Sequence, residues 1–294
     1  MTISPIDAEL LRNAMSSIVD EMFISLMKSS YSTNIKERKD HSTALFDKNG
    51  RVVVQGESMP LHLASMLGLV EIVLEKYGEK NINPGDVFLS NDPYVGKGSH
   101  LPDVAMAAPI FYDNQLLLFV CNIAHHADIG GMSPGSMAGG MTEIYQEGLR
   151  IPPIRLFKSG KLMEDVMDMI LLNVRVPEER RGDYNAQIAS NKLGIKRCLD
   201  LIKKWGPKNI DEGCDVIIKS VAKRTRKSVS NLPDGTYTFE DIVDDDGLSR
   251  KNIVLKVSIT VKKDQIIFDF SGTDPQVEGN NNVTMAGLQA CCLY

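Results

Sequence analysis

The sequence lacks the features that define several large classes of protein. It has no excess of lysine and arginine, and its formal net charge is −5, so neither a nucleic-acid groove nor a face for anionic membranes is expected. Its apolar stretches are far shorter than the roughly 20 residues of a membrane span. The N-terminus lacks the basic start and the apolar core of a signal peptide. We therefore expect a soluble, cytoplasmic protein.

Several catalytic and metal-binding motifs are also absent. The five cysteines are odd in number and show no CxxC spacing, which argues against a disulfide framework and against a thiolate zinc site. The sequence has no GxxxxGK(S/T) loop, so the chain is not expected to bind a nucleotide by itself.

The chain is long and apolar enough for a large folded core. Its 294 residues are 43% hydrophobic and 24% charged, which are ordinary values for a globular protein. The spacing of the apolar residues predicts an α+β fold, with mixed sheets, hairpins and helices packed against one face, arranged in two lobes. The predicted elements are helices over 6–28, 61–77 and 161–205, hairpins over 42–55 and 104–124, and strands over 87–90, 236–243, 252–262 and 265–270.

The histidines are concentrated in one part of the chain. None occurs after residue 126. Imidazole is a common metal ligand and a base near neutral pH, so this clustering predicts one metal or proton-transfer site. A histidine at a strand end is more often an ordinary hydrogen-bonded polar residue than a metal ligand, and that alternative stays open. The five histidines are His41, His62, His100, His125 and His126.

The predicted hairpin over 104–124 brings three of the candidate ligands together. With its turn at Asp113-Asn114, residues near 103 and 124 face each other, which places Asp103 beside His125. His100 lies in the short segment just before Asp103. Two imidazoles and one carboxylate form a ligand set for a divalent metal, with open positions for water or a carbonyl oxygen. Asp40 or Asp92 could supply a fourth ligand.

Neighbouring residues on a strand point to opposite faces, so only one residue of the pair His125-His126 is expected to enter the site. The pairing favours His125. A β-bulge near Ala124 would exchange the roles of the two histidines. The glycine-rich segment over 127–148 that follows could approach a ligand closely or move as a lid.

The sequence predicts two domains. We expect a metal-site domain over 1–205 and a β-rich domain over 206–294. A helical apolar pattern begins near Val283 and is cut at Tyr294, which suggests that the second domain continues beyond this sequence in a truncated or split gene.

Seven sequence blocks together resemble the hydantoinase B/oxoprolinase family. The resemblance covers nearly the whole chain, but only about the N-terminal half of a typical family member. The blocks are STNIKERKDHSTALF (32–46), SNDPY (90–94), GSHLPD (98–103), HHADIGG (125–131), EGLRIPP (147–153), VPE with GD (176–178 and 182–183) and DFSGT (269–273).

The resemblance implies one divalent metal, zinc or manganese, held by His100, Asp103 and His125, with Asp40 as a further ligand. It also implies an ATP-binding partner of the hydantoinase A type, which would hold ATP and magnesium in a hetero-oligomer. His126 and Asp128 would orient ligands or move protons. A carboxylate that follows the glycine-rich loop, Glu147, could serve as general base.

Three functions remain open on this resemblance. The first is an ATP-dependent hydrolase of cyclic amides such as hydantoins, lactams or 5-oxoproline. The second is the metal-binding component of an ATP-dependent ketone carboxylase acting on acetone or acetophenone, which bicarbonate dependence would distinguish. The third is a non-catalytic assembly component, which would not need the three ligands.

Overall fold

The computed structural model describes residues 3–56 and 58–294, except for the side chain of Leu63. The helices are α1 (Pro5–Ser29), α2 (Thr33–Lys36), α3 (His62–Ser65), α4 (Leu67–Tyr77), α5 (Ile144–Glu147), α6 (Glu164–Leu172), α7 (Pro177–Trp205), α8 (Pro207–Val229) and α9 (Met285–Leu293). The strands are β1 (His41–Asp47), β2 (Val52–Gln55), β3 (Val87–Ser90), β4 (Asp103–Tyr112), β5 (Gln115–His125), β6 (Ile154–Lys158), β7 (Lys161–Leu162), β8 (Gly235–Asp245), β9 (Lys251–Lys262) and β10 (Gln265–Asp269).

These elements confirm the predicted α+β class. Seven strands form one sheet in the order β2-β1-β5-β4-β3-β6-β7, and three form a second sheet in the order β10-β9-β8. The sequence predicts mixed sheets, whereas every pair of neighbouring strands in these two sheets is antiparallel. Hairpins explain much of this arrangement, because a tight turn can only join antiparallel strands.

The β4–β5 hairpin forms the centre of the large sheet. Asp113 and Asn114 both have positive φ, at 48° and 63°, as expected for the tight turn that suits the twist of the strands. The register pairs Asp103 with His125. An irregularity lies between Ile110 and Phe111, near the turn, so the end of the hairpin that carries His125 keeps a regular register.

Helices cover both faces of the large sheet, not one face as predicted. The side chains of Val104 and Val120 join a core with α1 and α7, whereas those of Ala105 and Cys121 face α4. Alternate residues of β4 and β5 therefore enter two different cores. This explains why β5 is apolar nearly throughout.

Helix α1 begins where the sequence predicts. Ser4 is its N-cap, and its hydroxyl accepts a hydrogen bond from the backbone N–H of Asp7, while Pro5 occupies the first turn, where no N–H partner is needed. Leu11 and Met22, on the buried face of α1, belong to the larger core.

Helix α8 packs Ile210 and Cys214 into the same core as α1, and the second sheet starts only at Gly235. The domain division at residue 205 remains a prediction. Helix α9 contacts α3 through three alanines, Ala64, Ala286 and Ala290. Within the described residues, no helix has the length and apolarity needed to cross a membrane.

Candidate metal centre

His100, Asp103 and His125 converge at the open end of the β4–β5 hairpin. Each offers one ligand atom, and these atoms all lie within 4.8 Å of one another. Nε2 of His100 is 3.2 Å from Oδ2 of Asp103, and the rings of His100 and His125 have centroids 5.1 Å apart. The pairing of Asp103 with His125 predicted from the hairpin is confirmed.

A tight turn brings His100 back over Asp103. The backbone N–H of Asp103 donates to the carbonyl of His100 over 3.1 Å. The side chain of Leu101, between them, is fully buried, and the amide of Asn91 donates to the Leu101 carbonyl over 2.8 Å. The turn is therefore fixed from the core side, while the His100 side chain stays about one-third exposed.

The Asp103 carboxylate is buried and asymmetrically bound. Burial would raise its pKa, but the nearby imidazoles of His100 and His62 hold the pKa of Asp103 well below its usual range. Oδ2 also accepts a hydrogen bond from the hydroxyl of Ser99. Oδ1 is buried and has no hydrogen-bond partner in the described structure.

These features fit a divalent cation. A buried anionic oxygen without a donor carries a large desolvation cost, which a positive ion nearby would offset. Two imidazole nitrogens with one carboxylate suit zinc or manganese. The pKa shifts of the two histidines have different causes. Burial lowers the pKa of His125, which favours the neutral form that can bind a metal. Burial also acts to lower the pKa of His100, but the hydrogen bond and negative charge of Asp103 raise it overall.

The two candidate fourth ligands, Asp40 and Asp92, lie at different distances from the site. Asp40 lies beside the site, because its backbone carbonyl accepts a hydrogen bond from the N–H of His125 over 2.9 Å, although its carboxylate is not part of the compact three-residue group. Asp92 lies elsewhere: its carboxylate binds the Arg150 side chain over 2.7 Å and the backbone N–H groups of Tyr94 and Val95. The structure therefore leaves Asp40 as the fourth-ligand candidate.

His126 points away from this site, into the core beneath α7. Its Nε2 is 2.9 Å from Oε1 of Gln187, and its ring lies against that of Tyr184, with 4.3 Å between centroids. Burial lowers the pKa of His126 to about 4. His125 and His126 thus occupy opposite faces of the sheet, as the alternation of strand side chains predicts.

Asp128 organises the glycine-rich loop. Its carboxylate accepts hydrogen bonds from the backbone N–H groups of Gly130 and Gly135, and it binds the side chain of Arg175 over 2.9 Å. Burial would raise the pKa of Asp128, but these hydrogen bonds lower it. Both carboxylate oxygens are therefore engaged in holding the loop against the start of α7.

A cavity of about 150 Å³ opens beside His100. Glu147 lines it together with residues of the glycine-rich loop and of segment 276–284. Burial raises the pKa of Glu147, and the nearby His100 partly opposes this rise. A cavity of this size is large enough for one six-membered ring.

The profile of the family described as hydantoinase B/oxoprolinase matches residues 4–294. The chain belongs to this family. Its relatives include the uncharacterized protein MJ0963 of Methanocaldococcus jannaschii, 37% identical over 94% of this chain and 49% of that protein. They also include 5-oxoprolinase 1 of Arabidopsis thaliana, 35% identical over 94% of this chain and 24% of that protein.

Two solved structures resemble this family member. The ATP-dependent caprolactamase from Pseudomonas jessenii superposes with a TM-score of 0.91 at 29% identity, over 99% of this chain and 50% of that chain. Acetone carboxylase superposes with a TM-score of 0.89 at 17% identity, over 98% of this chain and 40% of that chain, which shows a shared fold alone. The chain spans about half or less of the length of the relatives it matches.

Sequence patterns do not reveal several residues around this family member's site. The side-chain amide of Asn34 lies 2.8 Å from Nδ1 of His125, and the Met137 sulfur lies 3.2 Å from Nε2 of the same ring. His62 lies within 4 Å of both Asp40 and Asp103. The clustering of histidines is a signal for His62, but no local pattern places its helix beside the hairpin.

Proposed function

We propose that this chain is the metal-binding part of an ATP-dependent hydrolase of cyclic amides, of the hydantoin, lactam or 5-oxoproline type. It would act with an ATP-binding partner of the hydantoinase A type. The main support is the group His100, Asp103 and His125, with a buried carboxylate oxygen that lacks a donor, next to a cavity lined by Glu147.

The proposed ligands are His100, Asp103 and His125, with Asp40 as the fourth, for one zinc or manganese ion. When bound, such an ion lowers the pKa of a water molecule and polarises a carbonyl oxygen. Ser99 contributes by holding Oδ2 of Asp103, which leaves Oδ1 free to face the ion.

Glu147 is the proposed general base. It lines the same cavity as His100, and burial raises the pKa of its carboxyl group towards the range in which a carboxylate accepts protons efficiently. A carboxylate here can take a proton from a water molecule that attacks a ring carbonyl in the cavity. The substrate would be a small ring, because the cavity measures about 150 Å³.

His126 and Asp128 have supporting roles in this proposal. His126 lies under the strand that carries His125, where its contact with Gln187 fixes the end of β5. Asp128 holds the glycine-rich loop that closes one side of the cavity. Both would affect turnover through the position of the site, without contacting the substrate.

Two further relatives support the amide-hydrolase assignment. The beta chain of the caprolactamase of Pseudomonas jessenii is 32% identical over 90% of this chain, and the hydantoinase B component of a D-/L-hydantoinase from a Pseudomonas strain is 32% identical over 99% of it. The ketone-carboxylase alternative would use the same ligands. The alternative of a non-catalytic assembly component gives no reason for a converging set of three ligands.

The test is to co-purify the chain with its ATP-binding partner and to assay ring opening of hydantoin, 5-oxoproline and caprolactam. We expect ATP-dependent ring opening without bicarbonate, one zinc or manganese per chain, and no ATP hydrolysis by the isolated chain. Replacing His100 or Asp103 by Ala should remove the metal while solubility is kept. Product formation that requires bicarbonate would identify a carboxylase, and stoichiometric metal in both Ala variants would refute the ligand assignment.

A further inference from the structure

His62 is a buried histidine in contact with two carboxylates of the candidate metal centre. Its Nε2 lies 3.7 Å from Oδ2 of Asp103 and 3.8 Å from Oδ1 of Asp40. Only 1% of its side chain is exposed. It starts the short helix α3, which is separate in sequence from the hairpin that carries Asp103.

The other ring nitrogen of His62 is fixed by a chain of hydroxyl groups. Nδ1 lies 2.8 Å from Oγ of Ser42, which in turn lies 2.5 Å from Oγ of Ser58. The carboxylates that face Nε2 only accept hydrogen bonds, so the ring hydrogen is assigned to Nε2 and Ser42 donates to Nδ1. That hydrogen then points towards the two carboxylates, in the way that a hydrogen bond at one nitrogen sets the role of the other.

The contacts of Asp103 show what this hydrogen can do. Oδ2 lies within 4 Å of His62 and His100 and also accepts the Ser99 hydroxyl, while Oδ1 has no hydrogen-bond partner among the described residues. Because these groups contact one oxygen and not the other, they fix the plane of the carboxylate and leave Oδ1 free. Partners of this kind orient the ligands of metal sites in general.

We propose that His62 is a positioning residue that holds the carboxylates of Asp103 and Asp40 in the orientation that receives the divalent ion. This inference rests on the proposed metal site. His62 acts through the two carboxylates, and its own nitrogens do not bind the ion.

Metal affinity of the purified chain tests this role without a substrate or a partner. Zinc affinity is measured by competition with a chromophoric chelator, and the ligand geometry is followed by the visible spectrum of the cobalt-loaded protein. The variants are His62→Phe, which keeps a ring but loses the N–H, and His62→Gln, which keeps an N–H donor. His41→Gln is the matched control, since it replaces a buried histidine whose ring contacts Phe23 of α1.

We expect His62→Phe to weaken zinc binding about 10- to 100-fold, the usual loss when a group that orients a metal ligand is removed. Its cobalt spectrum should also shift. His62→Gln should recover most of the affinity, and His41→Gln should stay within about threefold of the wild type. Recovery of zinc affinity in His62→Gln would distinguish loss of the N–H group from a general loss of structure. Thermal unfolding checks that each variant is folded.

Two results would overturn the inference while leaving the metal site intact. His62→Phe with wild-type affinity and spectrum would show that the ring does not position the carboxylates. Complete loss of metal in both His62 variants, as in His125→Ala, would show that His62 is itself a ligand. A wild-type chain that binds neither zinc nor cobalt would overturn the proposed function and the role of His62 together.

Discussion

Asp103 and His125 are directly paired across the β4–β5 hairpin, and both side chains face the α4 side of the large sheet. The proposed metal site therefore depends on the strand register. A shift by one residue would replace His125 with a neighbour whose side chain points into the opposite core.

This register predicts different outcomes for two adjacent histidines. His125→Ala should lose the bound metal, whereas His126→Ala should retain it and turn over more slowly. His126→Ala removes the hydrogen bond to Gln187 and the ring contact with Tyr184, so its free energy of unfolding should fall by about 1–3 kcal/mol. Elemental analysis and chemical denaturation of the two variants provide the test. Metal lost from the His126 variant and kept by the His125 variant would contradict the register.

The glycine-rich loop allows a comparison between two glycines. Gly131 has φ of +82°, and a Cβ atom there would lie 2.5 Å from the carbonyl oxygens of Gln146 and Glu147. Gly139 has open space around it. We expect Gly131→Ala to cost about 2 kcal/mol or more in stability and to reduce turnover by displacing Glu147, while Gly139→Ala should stay within about 0.5 kcal/mol of the wild type. Thermal unfolding with activity assays measures both effects, and equal stability of the two variants would disprove the close approach.

His41 should make stability depend on pH. Its ring stacks on Phe23, with 4.1 Å between centroids, and burial lowers its pKa from 6.5 to about 4. The unfolded chain therefore binds a proton at a higher pH than the folded chain does. Stability should fall as pH decreases from about 6.5 to about 4, by roughly 3 kcal/mol, and this loss should level off below that range.

His41→Phe keeps the ring contact and removes the titrating group. Urea unfolding of the metal-free wild type and variant between pH 4 and 8 should give a stability difference that shifts in favour of the variant towards acid pH, because only the wild type loses the contribution of neutral His41. A constant difference across this range would mean that His41 titrates alike in the folded and unfolded states.

Asp128 should matter for the order of the loop and not for metal binding. Asp128→Ala removes the partner of Arg175 and of two backbone N–H groups, so we expect faster proteolysis within 130–140 and a stability loss of about 2 kcal/mol, with full metal content. Limited proteolysis followed by mass spectrometry locates the cleavage. Loss of metal from this variant would instead place Asp128 in direct support of the ligands.

The hairpin that carries the site is predictable because its signals are local. Asp113-Asn114 tolerates the positive φ of a tight turn, and the apolar strands on either side fix the pairing of Asp103 with His125. The sequence does not predict helix α8, since 206–230 lies between a helical pattern and a strand pattern and is stabilised by packing on α1. The position of His62 depends likewise on tertiary contacts that no short window contains.

The alanine contact between α3 and α9 has a thermodynamic consequence. Ala64 on α3 lies two residues after His62, and it packs against Ala286 and Ala290 near the C-terminal end of the sequence. If metal binding and docking of α9 favour the same placement of α3, each must strengthen the other by the same free energy. Zinc affinity would then report on the attachment of a helix that contributes no ligand. A bulky residue at Ala286 should weaken zinc binding, and added zinc should raise the temperature at which α9 detaches.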